Sequence, residues 1–228
     1  MKIHIKNGRL VDPAGGTDAK QDVFIAAGKI AGIGAAPAGD YTRFHAEPLD
    51  PRSGAPEPVV MVFNYGILVD KHGRRFTDEA PWSADATYES VTRTIGEQPD
   101  GIAWLILDAR IDEIQNWKRA TRTDQEPVEA PTLAALAEKI GVPADQLAAT
   151  VAGFNAACPA GQKFAPDKPD GIATKPDFGP RKSNWAFPLE KGPWRAYPII
   201  CGNCFTFGGL KVDPNAHVLN MDGEVIEG

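Results

Sequence analysis

Cys201-Gly202-Asn203-Cys204 has the spacing of a redox or zinc motif, and His4, His45, His72 and His217 are the other ligands a metal would recruit. A structural zinc takes four ligands. Cys158 is the one further thiol, and the sequence contains no His-x-His pair or other zinc-like histidine spacing. A thioredoxin-type cysteine pair starts a helix after a strand, which the residues around Cys204 do not resemble. The two thiols are therefore expected to be ordinary, flanking a tight turn, and no catalytic metal is expected. Trp82, Trp104, Trp117, Trp185 and Trp194 have no basic stripe beside them. They read as core and loop anchors rather than a nucleic-acid stacking platform.

The chain around these residues is globular in composition. It has 228 residues, 43% of them hydrophobic and 24% charged, enough to bury a sizeable core. Its 20 prolines imply many loops. A net charge of −6, with the basic residues scattered, argues against the basic face that a nucleic acid or anionic membrane would require. No apolar run approaches the roughly 20 residues of a membrane span. Met1 to Lys6 alternates charged and apolar residues, unlike a signal peptide. With an odd number of cysteines, three, this points to reduced thiols and a cytoplasmic location.

The elements that must position the polar residues begin with strands. Ile3 and Ile5 alternate with Lys2, His4 and Lys6, the period of a half-buried strand. Asn7-Gly8 fits a type I′ turn, after which Arg9-Leu10-Val11 returns as a second strand. A second hairpin is predicted from Asp22-Val23-Phe24-Ile25 through Ala27-Gly28 to Lys29–Ile33, followed by a loop from Gly34 to Asp40. MKIHIKNGRLVDP followed by DVFIAAGKIAGIG resembles the amino-terminal strands of dihydroorotase-type amidohydrolases. That resemblance ends near residue 40, and the histidines, aspartate and lysine that would make a metal-bearing barrel do not follow. In that family these strands form part of a small sandwich, so their edges, with Val23, Phe24 and Ile25, are expected to be open and to invite self-association.

A different kind of sequence follows. Residues from His45 to Pro58 read as loop, and Val59–Val69, a turn at Asp70-Lys71-His72-Gly73 and Arg74-Arg75-Phe76 as strand, turn and strand. Helices are predicted at Ala84–Gln98, Ile111–Trp117, Thr132–Ile140 and Pro143–Cys158, and a buried strand at Ile102–Leu107. Thr132 caps the third helix and Gly141 ends it. Pro143 opens the fourth, whose buried stripe is Leu147, Val151 and Phe154. A long Pro-rich connection runs from Gly161 to Pro193, and strands resume at Trp194–Ile200 and between Gly208 and Val225, with a hairpin turn at Asp222-Gly223. The fold class is α+β.

GILVDKHGRRFTDE, LAEKIGVPADQLAATVAGFNAAC, GPWRAYPI and FTFGGLKVDPNAHVLNMDGEVIEG resemble, in this order, the capping-domain region of the fumarate reductase and succinate dehydrogenase flavoproteins, tricarballylate dehydrogenase included. The resemblance implies a cap that closes over FAD and holds a di- or tricarboxylate. It places His45 at the substrate-carboxylate histidine, and Arg75, Phe76 and Glu79 on the pattern G-x-R-F-x-x-E. The bland alternatives are a hydrogen-bonded loop histidine and an Arg–Glu structural clamp. Two positions depart from the family. Its proton-donating arginine falls on Ser83 or Ala84, and the histidine of H-T-M-G-G falls on Phe205. The GxGxxG strand-turn-helix that binds the cofactor pyrophosphate is not present.

The expectation is thus a chimeric or truncated protein: a dihydroorotase-like β segment over residues 1–40 and a fumarate reductase-like capping domain over residues 41–228. It carries no FAD itself and is inactive alone, with a carboxylate ligand near His45, Arg75 and Glu79. The rival is a working FAD-dependent oxidoreductase whose flavin domain comes from another chain. A third alternative, an amidohydrolase-type hydrolase, rests on the first forty residues.

Overall fold

The protein was analysed as a computed structural model, which describes residues 2–13, 15–26, 29–34 and 37–226. It contains two compact units, Met1–His45 with Asn203–Gly228, and Ala46–Gly202.

The first unit holds an antiparallel sheet of three strands, β1 (Lys2–Asp12), β2 (Thr17–Ala26) and β3 (Lys29–Ile33), in that spatial order. The turn predicted at Asn7-Gly8 is a bulge instead. β1 continues to Asp12, the pairing shifts between Ile5 and Gly8, and Asn7 takes a φ of 50°. The Asn7 N–H donates to Asp22 Oδ1 at 2.8 Å, so the extra residue is bonded across the sheet. The turn predicted at Ala27-Gly28 lies outside the described residues, and Ala26 and Lys29 pair on either side of it. Val23, Phe24 and Ile25 are not edge residues. They sit on the middle strand, where Val23 and Phe24 are buried.

A strand also replaces two predicted loops, since β4 runs from Pro37 to Leu49. It is the outermost strand of its sheet, the position where Pro48 removes no needed ladder bond.

The other sheet has the order β4, β8, β6, β5, where β5 is Ile67–Val69, β6 is Ile102–Leu107 and β8 is Trp194–Leu210. β5, β6 and β8 up to Gly202 carry the second unit, while β4 up to His45 and β8 from Asn203 belong to the first. β7 (Val128–Ala130) also pairs with β8. Alternation along β5 and β6 divides the core. Ile67, Val69 and Ile106 pack with α2 (Leu133–Ile140) and α3 (Ala144–Ala157). Leu68, Ala103, Leu105 and Leu107 pack with Val91 and Ile95 of α1 (Ala84–Gly96). Strands buried on both faces read as continuous apolar runs, as these do. Thr132 Oγ1 accepts from the Ala135 N–H at 3.2 Å, and Gly141 closes α2 with a φ of 70°. Where one short helix is predicted at Ile111–Trp117, two 3-10 turns form, Ala109–Glu113 and Trp117–Ala120. No helix is long and apolar enough to cross a membrane among the described residues.

Candidate functional site

His45 belongs to the first unit, where its ring stacks on Phe205 with centroids 4.6 Å apart and planes 3° from parallel. Phe207 meets His45 edge-on at 6.5 Å and Phe205 at 6.1 Å. Phe205 and Phe207 are two apart on β8 and so share a face of the strand. Phe205 stays 53% exposed. The residue standing where the family resemblance expects a second substrate histidine therefore lies flat against the first.

Arg75 and Glu79 belong to the second unit and face inward. Arg75 Nε and Nη2 donate to Glu79 Oε1 and Oε2 at 2.9 and 2.6 Å. Arg75 Nη1 donates to the Pro180 carbonyl at 2.7 Å, and Glu79 Oε1 accepts the Leu68 N–H at 2.9 Å. A third charge, absent from the sequence expectations, completes the group. Lys182 is fully buried, donates to the Asn64 and Gly66 carbonyls at 2.8 Å each, and lies 3.8 Å from Glu79 Oε2. Burial pushes the Lys182 ammonium down to about 8, against the opposing pull of Glu79. A fork-to-fork Arg–carboxylate pair with every remaining oxygen bonded is a rigid scaffold. It ties the β5 edge to the long connection before β8.

The second unit also carries a half-open cavity of about 360 Å³. Asn64, Ser83, Asp85, Arg119, Asp167 and Lys168 line its polar wall, and Tyr65, Trp117 and Trp185 its aromatic one. Ser83, one of the two positions expected to carry a proton-donating arginine, makes no side-chain capping bond to α1, whose Ala86 N–H and Thr87 hydroxyl donate to its carbonyl. Burial raises the Tyr65 hydroxyl, which donates to the Pro166 carbonyl at 2.9 Å.

The other motifs are structural. Cys201 and Cys204 lie within β8 rather than around a turn, and burial raises the Cys201 thiol. Cys158, buried in the core under α3, is pushed up to about 11. His4 stacks on Phe24 and bonds Asp22 Oδ2 at 2.9 Å, while His217 bonds Asp213 in its own hairpin. No group of metal-binding side chains converges among the described residues.

Residues 55–228 match the FAD binding domain family. The chain belongs to that family. Among its relatives, the NADH:acrylate oxidoreductase of Vibrio harveyi is 35% identical over 191 residues, covering 78% of this chain and 16% of that protein. The 4-oxocyclohexanecarboxylate 2-dehydrogenase of Sinomonas cyclohexanicum is 31% identical over 202 residues, covering 78% of this chain and 33% of that protein. The chain thus spans between about a sixth and a third of these curated relatives. In fold it is similar to the open conformation of a flavocytochrome c3 fumarate reductase, with a TM-score of 0.66 at 21% identity over 86% of this chain and 31% of that one.

The cofactor of this family needs a glycine turn leading from a parallel strand into a helix N-terminus, where backbone N–H groups hold the pyrophosphate. The described residues do not fit it. β1–β2, β2–β3, β5–β6, β6–β8 and β7–β8 all pair antiparallel. α1 follows Pro81-Trp82-Ser83, α2 follows Pro131 and its own cap Thr132, and α3 follows Pro143. None of these offers a glycine cradle.

Proposed function

We propose that the chain is the substrate-facing cap of an FAD-dependent oxidoreductase, with the dinucleotide held by residues other than those described. The reaction class is hydrogen transfer at a carbon–carbon bond beside a carboxylate or ketone. Acrylate and 4-oxocyclohexanecarboxylate, the compounds for which the two relatives are named, share that chemistry. The observation that carries this reading is the family match across residues 55–228. The di- or tricarboxylate of the sequence expectation falls within the same class.

Within the chain, His45 is the group we assign to the substrate, donating a ring N–H to a carboxylate or carbonyl oxygen. Phe205 holds the imidazole plane and offers an apolar surface where a second hydrogen-bond donor would otherwise stand. Arg75 and Glu79 act at one remove, fixing the scaffold behind the cap. The experiment is a titration of the full chain with acrylate and with fumarate, followed by the NMR signals of the His45 ring. Movement of those signals, lost in His45→Ala, supports the assignment. Signals that stay fixed with both acids at millimolar concentration overturn it.

A further inference from the structure

The 360 Å³ cavity of the second unit falls in the size range of small-molecule sites. Its charges are of both signs. Arg119 and Lys168 are opposed by Asp85 and Asp167, and none of the four side chains makes a hydrogen bond or ion pair among the described residues. Carboxylates and cations that leave each other unpaired remain available to a ligand of the opposite charge, with solvent screening each contact. An adjoining cavity of about 270 Å³ shares Asp85 and Arg119, so the two residues line both.

A buried group on the same wall also lacks a partner. Asn64 is 3% exposed, and its side-chain Oδ1 has no hydrogen bond. A buried amide oxygen without a donor costs on the order of 1–3 kcal/mol, a cost removed when a donor is supplied. An amide presents either end after half a turn about its last torsion, so it can meet an N–H or a carboxylate oxygen.

We propose that this cavity binds a small amphoteric molecule, one carrying a carboxylate and a cationic or N–H-bearing group. Arg119 or Lys168 takes the carboxylate, Asp85 or Asp167 the cationic group, and Asn64 a further polar atom. A molecule with one sign of charge satisfies half of the wall and faces repulsion from the other half. Tyr65, half-buried and with its hydroxyl bonded to the Pro166 carbonyl, leaves part of its ring surface for a planar group, and the buried Trp185 packs behind it. The assignment uses none of the residues given a role in the redox reading, and the two stand or fall separately.

Isothermal titration of the full chain with L-histidine, histamine and 3-phenylpropionate tests it, the first amphoteric and the others bearing one sign of charge. L-Histidine is expected to bind at least about tenfold more tightly than either control, the factor that one charge-assisted contact supplies. Arg119→Ala removes one cation of the match and Asp167→Asn one carboxylate. Both residues are exposed, so the fold is retained, and each change is expected to weaken L-histidine by about tenfold. Equal binding of a control, binding indifferent to both substitutions, or no binding of L-histidine overturns the proposal.

Discussion

The rings of His45 and Phe205 lie parallel, 3° apart in plane and 4.6 Å between centroids. A phenyl ring gives the imidazole an apolar face and donates no hydrogen bond, so under the proposed role of His45 the pair is expected to favour an acid with one carboxylate and a planar or apolar remainder. Phe205→His replaces that face with a second donor. Fumarate binding by the full chain is then expected to rise about tenfold, as one added charge-assisted bond allows, while cinnamate binding falls. Calorimetric titration of both acids checks this, and an unchanged ratio between them contradicts it.

Glu79 faces two buried cations, Arg75 and Lys182, so the group is asymmetric. Removing Glu79 leaves two positive charges together in the interior, whereas removing Arg75 leaves Glu79 with Lys182. Breaking a buried pair costs about 3–5 kcal/mol. Glu79→Leu is expected to reach that range and Arg75→Met to cost distinctly less, as read from urea midpoints. The reverse order would show that hydrogen bonds to the Pro180 and Thr77 carbonyls, not charge balance, dominate at this site.

α2 and α3 are legible in the sequence because their signals are local. Thr132, Gly141 and Pro143 mark their ends within a few residues, and Leu147, Val151 and Phe154 mark the buried stripe. Asn7-Gly8 is less decisive, since a positive φ serves a hairpin turn and a bulge alike. What selects the bulge is the carboxylate of Asp22, supplied from across the sheet. Lys182 carries no local sign of burial, because its acceptors lie 118 and 116 residues earlier in the chain. Arg75 and Glu79 could be paired from their spacing. The grouping of Asn64, Arg119 and Lys168 around one cavity could not, since three separate segments bring them together. Nor does the sequence place Asn203–Gly228 in one unit with the amino-terminal strands, a consequence of the long course of β4 and β8.

Lys182 also sets a pH dependence. Its folded value of about 8 lies below the ordinary 10.5. Below pH 8 the folded and unfolded chains both hold the proton, and the cost of burying the charge is fully present. Between pH 8 and 10.5 the unfolded chain binds the proton and the folded chain does not, so stability rises with pH through this window. Lys182→Met removes that contribution. The difference in urea midpoint between the native chain and the variant should therefore shift toward the native chain from pH 7.5 to 10, and a constant difference would refute the assignment.

The sheet of the first unit presents one apolar face. Cross-strand pairing aligns Ile3, Ile25 and Ile30 in one row and Ile5, Val23 and Ile33 in another, with Ile30 61% exposed. Together with the two edge strands β1 and β3, such a surface favours contact with a second copy. Sedimentation velocity is expected to show association that grows with concentration and is reduced by Ile30→Lys. A monomer at every concentration would exclude this surface as the contact.

The purified chain is expected to hold no stoichiometric FAD and to reduce no fumarate-like acid unaided. Three α-helix N-termini are described, and each follows proline or a capping side chain rather than a glycine turn from a parallel strand. The pyrophosphate would therefore meet few free backbone donors. The proton side is depleted as well, since Ser83 stands at a position the family resemblance gives to an arginine, and removing a positioned proton donor costs about 10²–10⁴ in rate. Absorbance between 350 and 500 nm after gel filtration with added FAD provides the check, with acrylate and fumarate turnover measured on the same sample. One equivalent of retained flavin together with turnover lost in His45→Ala would identify the chain as a working flavoenzyme and set aside its role as a cap.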